Sequence, residues 1–327
     1  MTARIAVTGA AGFIGAHVCR RLLEGGHAVV GLDNFDPYYD RSIKEQRIHL
    51  LRGRAGFILG EVDVRASAEL REALVGVDAV IHLAARPGVR QSFAEPRLYV
   101  DVNAVGTVSV LEAAAAAGIS RVVFASSSSV YGDVPSGPLR EDAVGLRPIS
   151  PYAASKGAAE MLCRVLAAPL GQRVAALRLF TVYGPGQRPD QAVARFAAAL
   201  AGGRPIRLFG DGSAERDCTY VDDAVDGILC ALEWTGAGPP GCEVFNVGSG
   251  VAVTVSGLVE LLAGALGAEP EIIEEPAAVG DVRRTLADLD KARTVLGYRP
   301  RVPIEQGIPA FVDWFKGYHG SESRATG

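Results

Sequence analysis

The sequence is short of the features that mark a secreted, metal-binding or membrane-spanning protein. Its five cysteines, Cys19, Cys163, Cys218, Cys230 and Cys242, are odd in number and far apart. None has metal-site spacing, and most fall in apolar runs where a thiol behaves as a small hydrophobe. Neither a disulfide framework nor a metal centre is expected. No apolar run reads as long enough to span a bilayer, and the opening Met1-Thr2-Ala3-Arg4-Ile5-Ala6-Val7-Thr8-Gly9 runs almost directly into a strand, without a leader pattern. Basic residues are scattered and the net charge is -4, so neither nucleic acid nor a membrane surface is an expected partner. The expected compartment is the cytoplasm.

What the chain does have is enough length, 327 residues, and enough apolar content, 49%, to bury one large or two medium cores. Its first half alternates β-branched runs with amphipathic stretches. Strands are predicted at 4–8, 28–33, 56–59, 79–83, 121–126 and 174–178, and helices near 12–24, 42–51, 66–74, 105–117 and 151–168. Strict alternation implies a Rossmann-like α/β fold, a doubly wound parallel sheet covered on both faces. After Thr181 proline and glycine become frequent, and a smaller mixed lobe with helices near 193–201, 222–234, 255–266 and 304–318 is expected. The division is a dinucleotide-binding domain over 1–180 and a substrate lobe over 181–327, with a strand near 243–248 returning to the first sheet. Residues 321–327 read as a frayed tail.

Gly9-Ala10-Ala11-Gly12-Phe13-Ile14-Gly15 follows the first strand and opens the first helix. Three glycines so spaced allow a tight turn, close approach of backbone to a pyrophosphate, and close helix–strand packing, with the phosphates at the positive helix end. Asp33 ends the second strand, where a carboxylate accepts from ribose hydroxyls and repels a 2′-phosphate. With Asn34 and no arginine after it, this favours NAD over NADP. Asp63-Val64 either meets the adenine edge or caps the next helix. Leu83-Ala84-Ala85 is small enough for a dinucleotide to lie across the fourth strand.

Tyr152 and Lys156 lie four residues apart in Pro151-Tyr152-Ala153-Ala154-Ser155-Lys156. On a helix they share a face about 6 Å apart along the axis. A phenol titrates near 10, and bringing it to about 7 takes roughly 4 kcal/mol of preferential stabilisation of the phenolate, which a fixed ammonium favours. Upstream, Ala125-Ser126-Ser127-Ser128-Ser129-Val130-Tyr131-Gly132 ends the fifth strand at the carboxyl edge, where doubly wound sheets bind ligands.

The glycine pattern, Asp33, His82-Leu83-Ala84-Ala85, the serine-rich strand end and the Tyr152/Lys156 pair match in order and spacing the extended short-chain dehydrogenase/reductase family. From about Ile5 to Trp314 the chain resembles its nucleotide-sugar 4-epimerases, most closely those acting on UDP-glucuronate. The resemblance implies Tyr152 as base and Lys156 as holder of the nicotinamide ribose. It also implies a hydroxyl partner at Ser127, or Ser126 if the register slips by one. Related 4,6-dehydratases carry an Asp-Glu pair where this chain has Ser128 and Ser129, and decarboxylating relatives use a glutamate there. Epimerisation without net redox is thus the implied outcome. UDP-glucose epimerisation, UDP-glucuronate decarboxylation and a non-catalytic NAD-sensing role remain as alternatives.

The stretches Gly88-Val89-Arg90-Gln91-Ser92 and Thr181 to Asp190 resemble those of UDP-glucuronate 4-epimerases. Arg90 and Arg188 are candidates for the sugar carboxylate, with Ser128 and Thr181 as neutral donors; Arg188 could equally reach the diphosphate. By the same resemblance Arg216 meets the diphosphate and Asp281 the uridine ribose. Cys218 stands where relatives carry an aromatic, and Ala278-Val279 where a polar or basic residue is common. The resemblance also implies a homodimer.

Overall fold

A computed structural model describes residues 2–134, 137–142, 146–276 and 280–325, the last seven by backbone alone. Ala278 and Val279 lie outside the described residues, as does the very end of the tail. The first half runs β1 (Arg4–Thr8), α1 (Phe13–Glu24), β2 (Ala28–Leu32), α2 (Arg41–Arg52), β3 (Phe57–Gly60), α3 (Ser67–Ala73) and β4 (Ala79–His82). It continues with α4 (Pro96–Val100), α5 (Gly106–Ala116), β5 (Arg121–Ser127), α6 (Pro151–Leu166) and β6 (Arg173–Leu179). The second half adds β7 (Thr181–Tyr183), α7 (Ala192–Ala201), β8 (Ile206–Phe209), β9 (Glu215–Tyr220), α8 (Val221–Trp234) and β10 (Gly241–Val247). It closes with β11 (Ala252–Thr254), α9 (Val255–Leu266), β12 (Ile272–Glu275) and α10 (Ile304–Ala325).

Seven strands form one parallel sheet in the order β10-β6-β5-β4-β1-β2-β3. Buried on both faces, β1 and β4 read as nearly continuous apolar runs, as parallel strands must. One core lies on the side of α1 and α8 and continues into the second lobe through Tyr183, Phe196 and Phe311. The other lies under α3, α5 and α6 around Val80, Val122 and Val174. β10 pairs with β6 from Gly241↔Arg173 to Val247↔Leu179, so the returning strand expected near 243–248 is present and longer. The second lobe carries two small sheets, β11-β9-β7 and β12-β8.

Two helices depart from expectation: α10 continues to Ala325, through most of the stretch read as a frayed tail, and the other lies in the first half. α4 and α5 join through a π-helical turn, Asp101–Val105, so a helix predicted to start near 105 begins at Pro96. Its 21 residues, with mean hydropathy 1.2, meet the length and composition of a membrane span, contrary to the reading of the sequence. Arg97 and Asp101 interrupt the apolar run and hid it. Of its apolar window 56% is buried inside the molecule.

Candidate active site

The carboxyl ends of β1, β2, β4, β5 and β6 open into a cavity of about 400 Å³. Its floor is the glycine turn. Gly9 sits at φ +71°, and a Cβ there would lie 2.8 Å from the Ala84 amide nitrogen; at Gly15 a Cβ would overlap the Gly9 carbonyl oxygen. α1 begins at Gly12 with no side-chain cap, so its first amides face the cavity without a side-chain acceptor. This cradle, stripped of Cβ atoms and lined with free helical N–H groups, fits the pyrophosphate of a dinucleotide.

Gly9, Gly12, Phe13, Ile14, Gly15, Asp33, Asn34, Val64, Leu83, Ala84 and Ala85 all line the cavity. Asp33 also braces the turn: its carboxylate accepts from Ala11 N at 3.0 Å and Phe35 N at 2.8 Å and pairs with the Lys44 ammonium at 3.3 Å. Asp63 does not cap the next helix, one of the two roles expected of its side chain. It accepts from Arg65 and from Asn34 Nδ2, and α3 starts instead from Ala66 without a side-chain cap. The Arg65 hydrogen bonds hold its carboxyl down at about 2.

Tyr152 enters in the first turn of α6, which Ser150 caps by accepting from Ala153 N, with Pro151 at the first position. The Tyr152 ring packs edge-on against Tyr99, centroids 6.3 Å apart. Burial raises the phenol above its ordinary pKa, while a hydrogen bond with Ser127 and the charge of Arg188 pull it back. Lys156 is buried, its ammonium 4.8 Å over the Phe124 ring, and desolvation brings it down to about 8. A charge from Arg188 thus also acts on Tyr152, a role the sequence reading did not give that residue. Burial, with the Lys156 charge, brings His82 down to about 3, so it bridges Thr8 and Thr107 as a neutral ring.

The two candidate serines differ in their partners. The Ser126 hydroxyl donates to Glu160 at 3.1 Å, whereas Ser127 donates to Ser129 Oγ at 3.1 Å and acts on the Tyr152 phenol. Ser128 and Thr181 line the same cavity, as does Arg188, which is paired with Asp190 at 2.9 Å. Arg90, Arg216 and Asp281 gather elsewhere, beside the second lobe. Arg90 pairs with Asp281 at 3.0 Å and lies 3.7 Å over the Phe209 ring. Arg216 is held down by burial, which Asp281 partly offsets.

Several lining groups escaped the sequence reading. Lys44, Tyr38, Arg86 and Gln191 line the cavity. Asn103 in the π-helical turn bonds Arg86 N and O and the Ser155 hydroxyl, tying that turn to α6. The one signal for Asn103 was a polar residue inside an apolar helix.

A Rossmann-like sheet with a glycine-turn cradle and a Ser127–Tyr152–Lys156 constellation defines a dehydrogenase-type nucleotide-binding enzyme, and the comparisons narrow it. The NAD dependent epimerase/dehydratase family matches residues 5–248, and the chain belongs to that family. It is 39% identical over 316 residues to the UDP-glucuronate 4-epimerase of Thermodesulfobacterium geofontis, covering 95% of each chain. The Bacillus cereus UDP-glucuronic acid 4-epimerase, solved with UDP-glucuronic acid and NAD, superposes with a TM-score of 0.91 at 36% identity, over 96% of this chain and 99% of that one. DesIV, a dTDP-glucose 4,6-dehydratase from Streptomyces venezuelae solved with NAD, gives 0.90 at 32% identity, over 97% and 98%.

Proposed function

We propose that this enzyme interconverts UDP-glucuronate and UDP-galacturonate by NAD-dependent epimerisation at the fourth carbon. One observation carries the choice within the family: Tyr152 and Ser127 meet at the sheet edge followed by the neutral hydroxyls of Ser128 and Ser129, with no carboxylate at those positions to eliminate water. The relatives named UDP-glucuronate 4-epimerase support the substrate.

Bound NAD supplies a hydride acceptor and donor. Gly9, Gly12 and Gly15 admit its pyrophosphate, Asp33 meets the adenosine ribose, and Lys156 holds the nicotinamide ribose. Tyr152, as phenolate, takes the proton of the sugar 4-hydroxyl, and Ser127 steadies both oxygens. After the 4-keto sugar turns over, exposing the opposite face of its fourth carbon to hydride return, Tyr152 gives the proton back to the 4-oxygen. A β-keto acid loses carbon dioxide fastest when its carboxylate stands perpendicular to the carbonyl plane. Ser128, Thr181 and Arg188, lining the same cavity, hold the carboxylate out of that orientation. Arg90, Arg216 and Asp281 take the nucleotide diphosphate end; the Arg90–Asp281 pair beside Phe209 supports moving Arg90 there from its candidate carboxylate role.

Proton NMR of UDP-glucuronate with the enzyme should show UDP-galacturonate. Accumulating UDP-pentose would make it a decarboxylase, and reaction of UDP-glucose alone would overturn the acid assignment. Bound NAD without turnover of any UDP-sugar would indicate a sensor. The same proposal includes a cytoplasmic location, supported by five unpaired cysteines, and a dimer formed through α4–α5 and α6. Val100, Val105, Met161 and Val165, exposed at 46%, 51%, 56% and 68%, support that face. Sedimentation should give twice the chain mass, and Val105→Glu with Val165→Glu should halve it.

A further inference from the structure

We propose that Glu160 and Arg178 are positioning residues whose buried pair, completed by Ser126, sets where Ser127 and Tyr152 stand relative to each other. This rests on the epimerase reading, in which those two hydroxyls act on the sugar together. Tyr152 and Lys156 arrive on α6 and Ser127 on β5, separate elements joined by a long connection, so something must fix α6 against the strand end.

Glu160 is four residues beyond Lys156 and eight beyond Tyr152, on the same face of α6. Its Oε2 accepts from Ser126 Oγ at 3.1 Å and from Arg178 Nε at 2.9 Å, and its Oε1 accepts from Arg178 Nη2 at 2.6 Å. Ser126 and Arg178 are direct register partners in the β5–β6 ladder, so one carboxylate grips both strands. The Arg178 guanidinium also lies 4.5 Å over the Tyr131 ring, and the Tyr131 hydroxyl donates to Asn246 Oδ1 at 2.7 Å on β10. The serine run is therefore held at both ends, by Glu160 at Ser126 and by Arg178 at Tyr131.

Most of the remaining helix contact is less suited to this. Apart from Ser155, bonded to Asn103, and Lys156, over the Phe124 ring, α6 buries Ala153, Gly157, Ala159 and Cys163, small groups whose packing is non-directional and would tolerate a slide along the sheet. A bidentate arginine–carboxylate pair is directional. The two side chains are 1% and 2% exposed, and a pair buried so deeply adds little stability over an apolar one of equal volume. Its location, one layer behind the reacting hydroxyls, is where a fraction of an ångström matters to turnover.

The test compares Ser126→Ala, Ser126→Thr and the charge-free double variant Glu160→Leu/Arg178→Met, each with bound NAD quantified. Ser126→Ala and the double variant should lose about tenfold or more in kcat, with NAD content and KM for UDP-glucuronate held. Ser126→Thr, keeping the hydroxyl, should restore parental kcat. Parental kcat in Ser126→Ala, with only a lowered melting temperature, would overturn the proposal. Should the double variant fail to fold, Ser126→Ala, which deletes a single hydroxyl, decides alone. If the parent turns over UDP-glucose but not UDP-glucuronate, the substrate assignment fails, and the same variants assayed on UDP-glucose decide this proposal by the same criteria. A parent with bound NAD that turns over no UDP-sugar overturns both.

Discussion

The two sides of the cavity are built by different means. On the cofactor side the work is done by backbone: glycines without Cβ atoms, a helix start without a side-chain cap, and a carboxylate, Asp33, held by two amides and Lys44. On the proposed substrate side, and beyond the cavity toward the second lobe, it is done by long side chains held by carboxylates, Arg188 by Asp190 and Arg90 by Asp281. Backbone construction leaves a rigid socket that a single methyl can spoil. Side-chain construction leaves cations that a substrate can recruit by exchanging one anion for another, and it tolerates change one residue at a time. Tyr152 and Lys156 stand where the two meet.

The largest expected effect is at that junction. Tyr152→Phe should lower kcat by roughly 10²–10⁴-fold with bound NAD unchanged, as seen by NMR turnover and cofactor release. Residual activity within tenfold of the parent would remove Tyr152 as base. Next comes Gly15→Ala, whose Cβ must push against the Gly9 carbonyl. A stability loss of about 1–3 kcal/mol and purification without NAD are expected; a variant that keeps NAD would erase the contrast between the two sides.

Lys156 gives the third. Burial holds its folded-state pKa at about 8, against about 10.4 for a free lysine. Between these values the unfolded chain binds more protons at this residue, so its own contribution to the stability of the cofactor-free protein rises with pH across that window and is lowest below it. Lys156→Met should abolish turnover yet raise stability at pH 7 by about 3 kcal/mol, an advantage over the parent that shrinks as pH passes from 8 to 10. A melting-temperature difference between parent and variant that stays constant from pH 7 to 10 would contradict this. The smallest effect belongs to Arg90→Ala. This half-exposed pair should cost under about 1 kcal/mol, raising KM for the nucleotide sugar while leaving NAD content alone.

The same contrast explains what could be read from the sequence. The strand at 4–8, the glycine turn, Asp33 and the Tyr152/Lys156 spacing are local patterns, and each lies where its period or motif put it. The partners of Arg90 and Lys156 are not local. Arg90 meets a carboxylate 191 positions away, and the Lys156 ammonium rests on an aromatic ring of β5. Asp63 failed as a helix cap because Arg65, two residues on, captured its carboxylate. The long helix from Pro96 was obscured because a π-helical turn shifts its hydrophobic period midway.

β10 has a practical consequence. The chain leaves the large sheet after β6, builds part of the second lobe, and comes back to lay its edge strand on β6 before departing again. A cut near residue 180 would not free a self-sufficient half; it would bare a seven-residue strand edge of unpaired amides and carbonyls open to another molecule. Anyone grafting a new sugar specificity onto this scaffold should therefore transplant loops between fixed strands rather than exchange whole lobes.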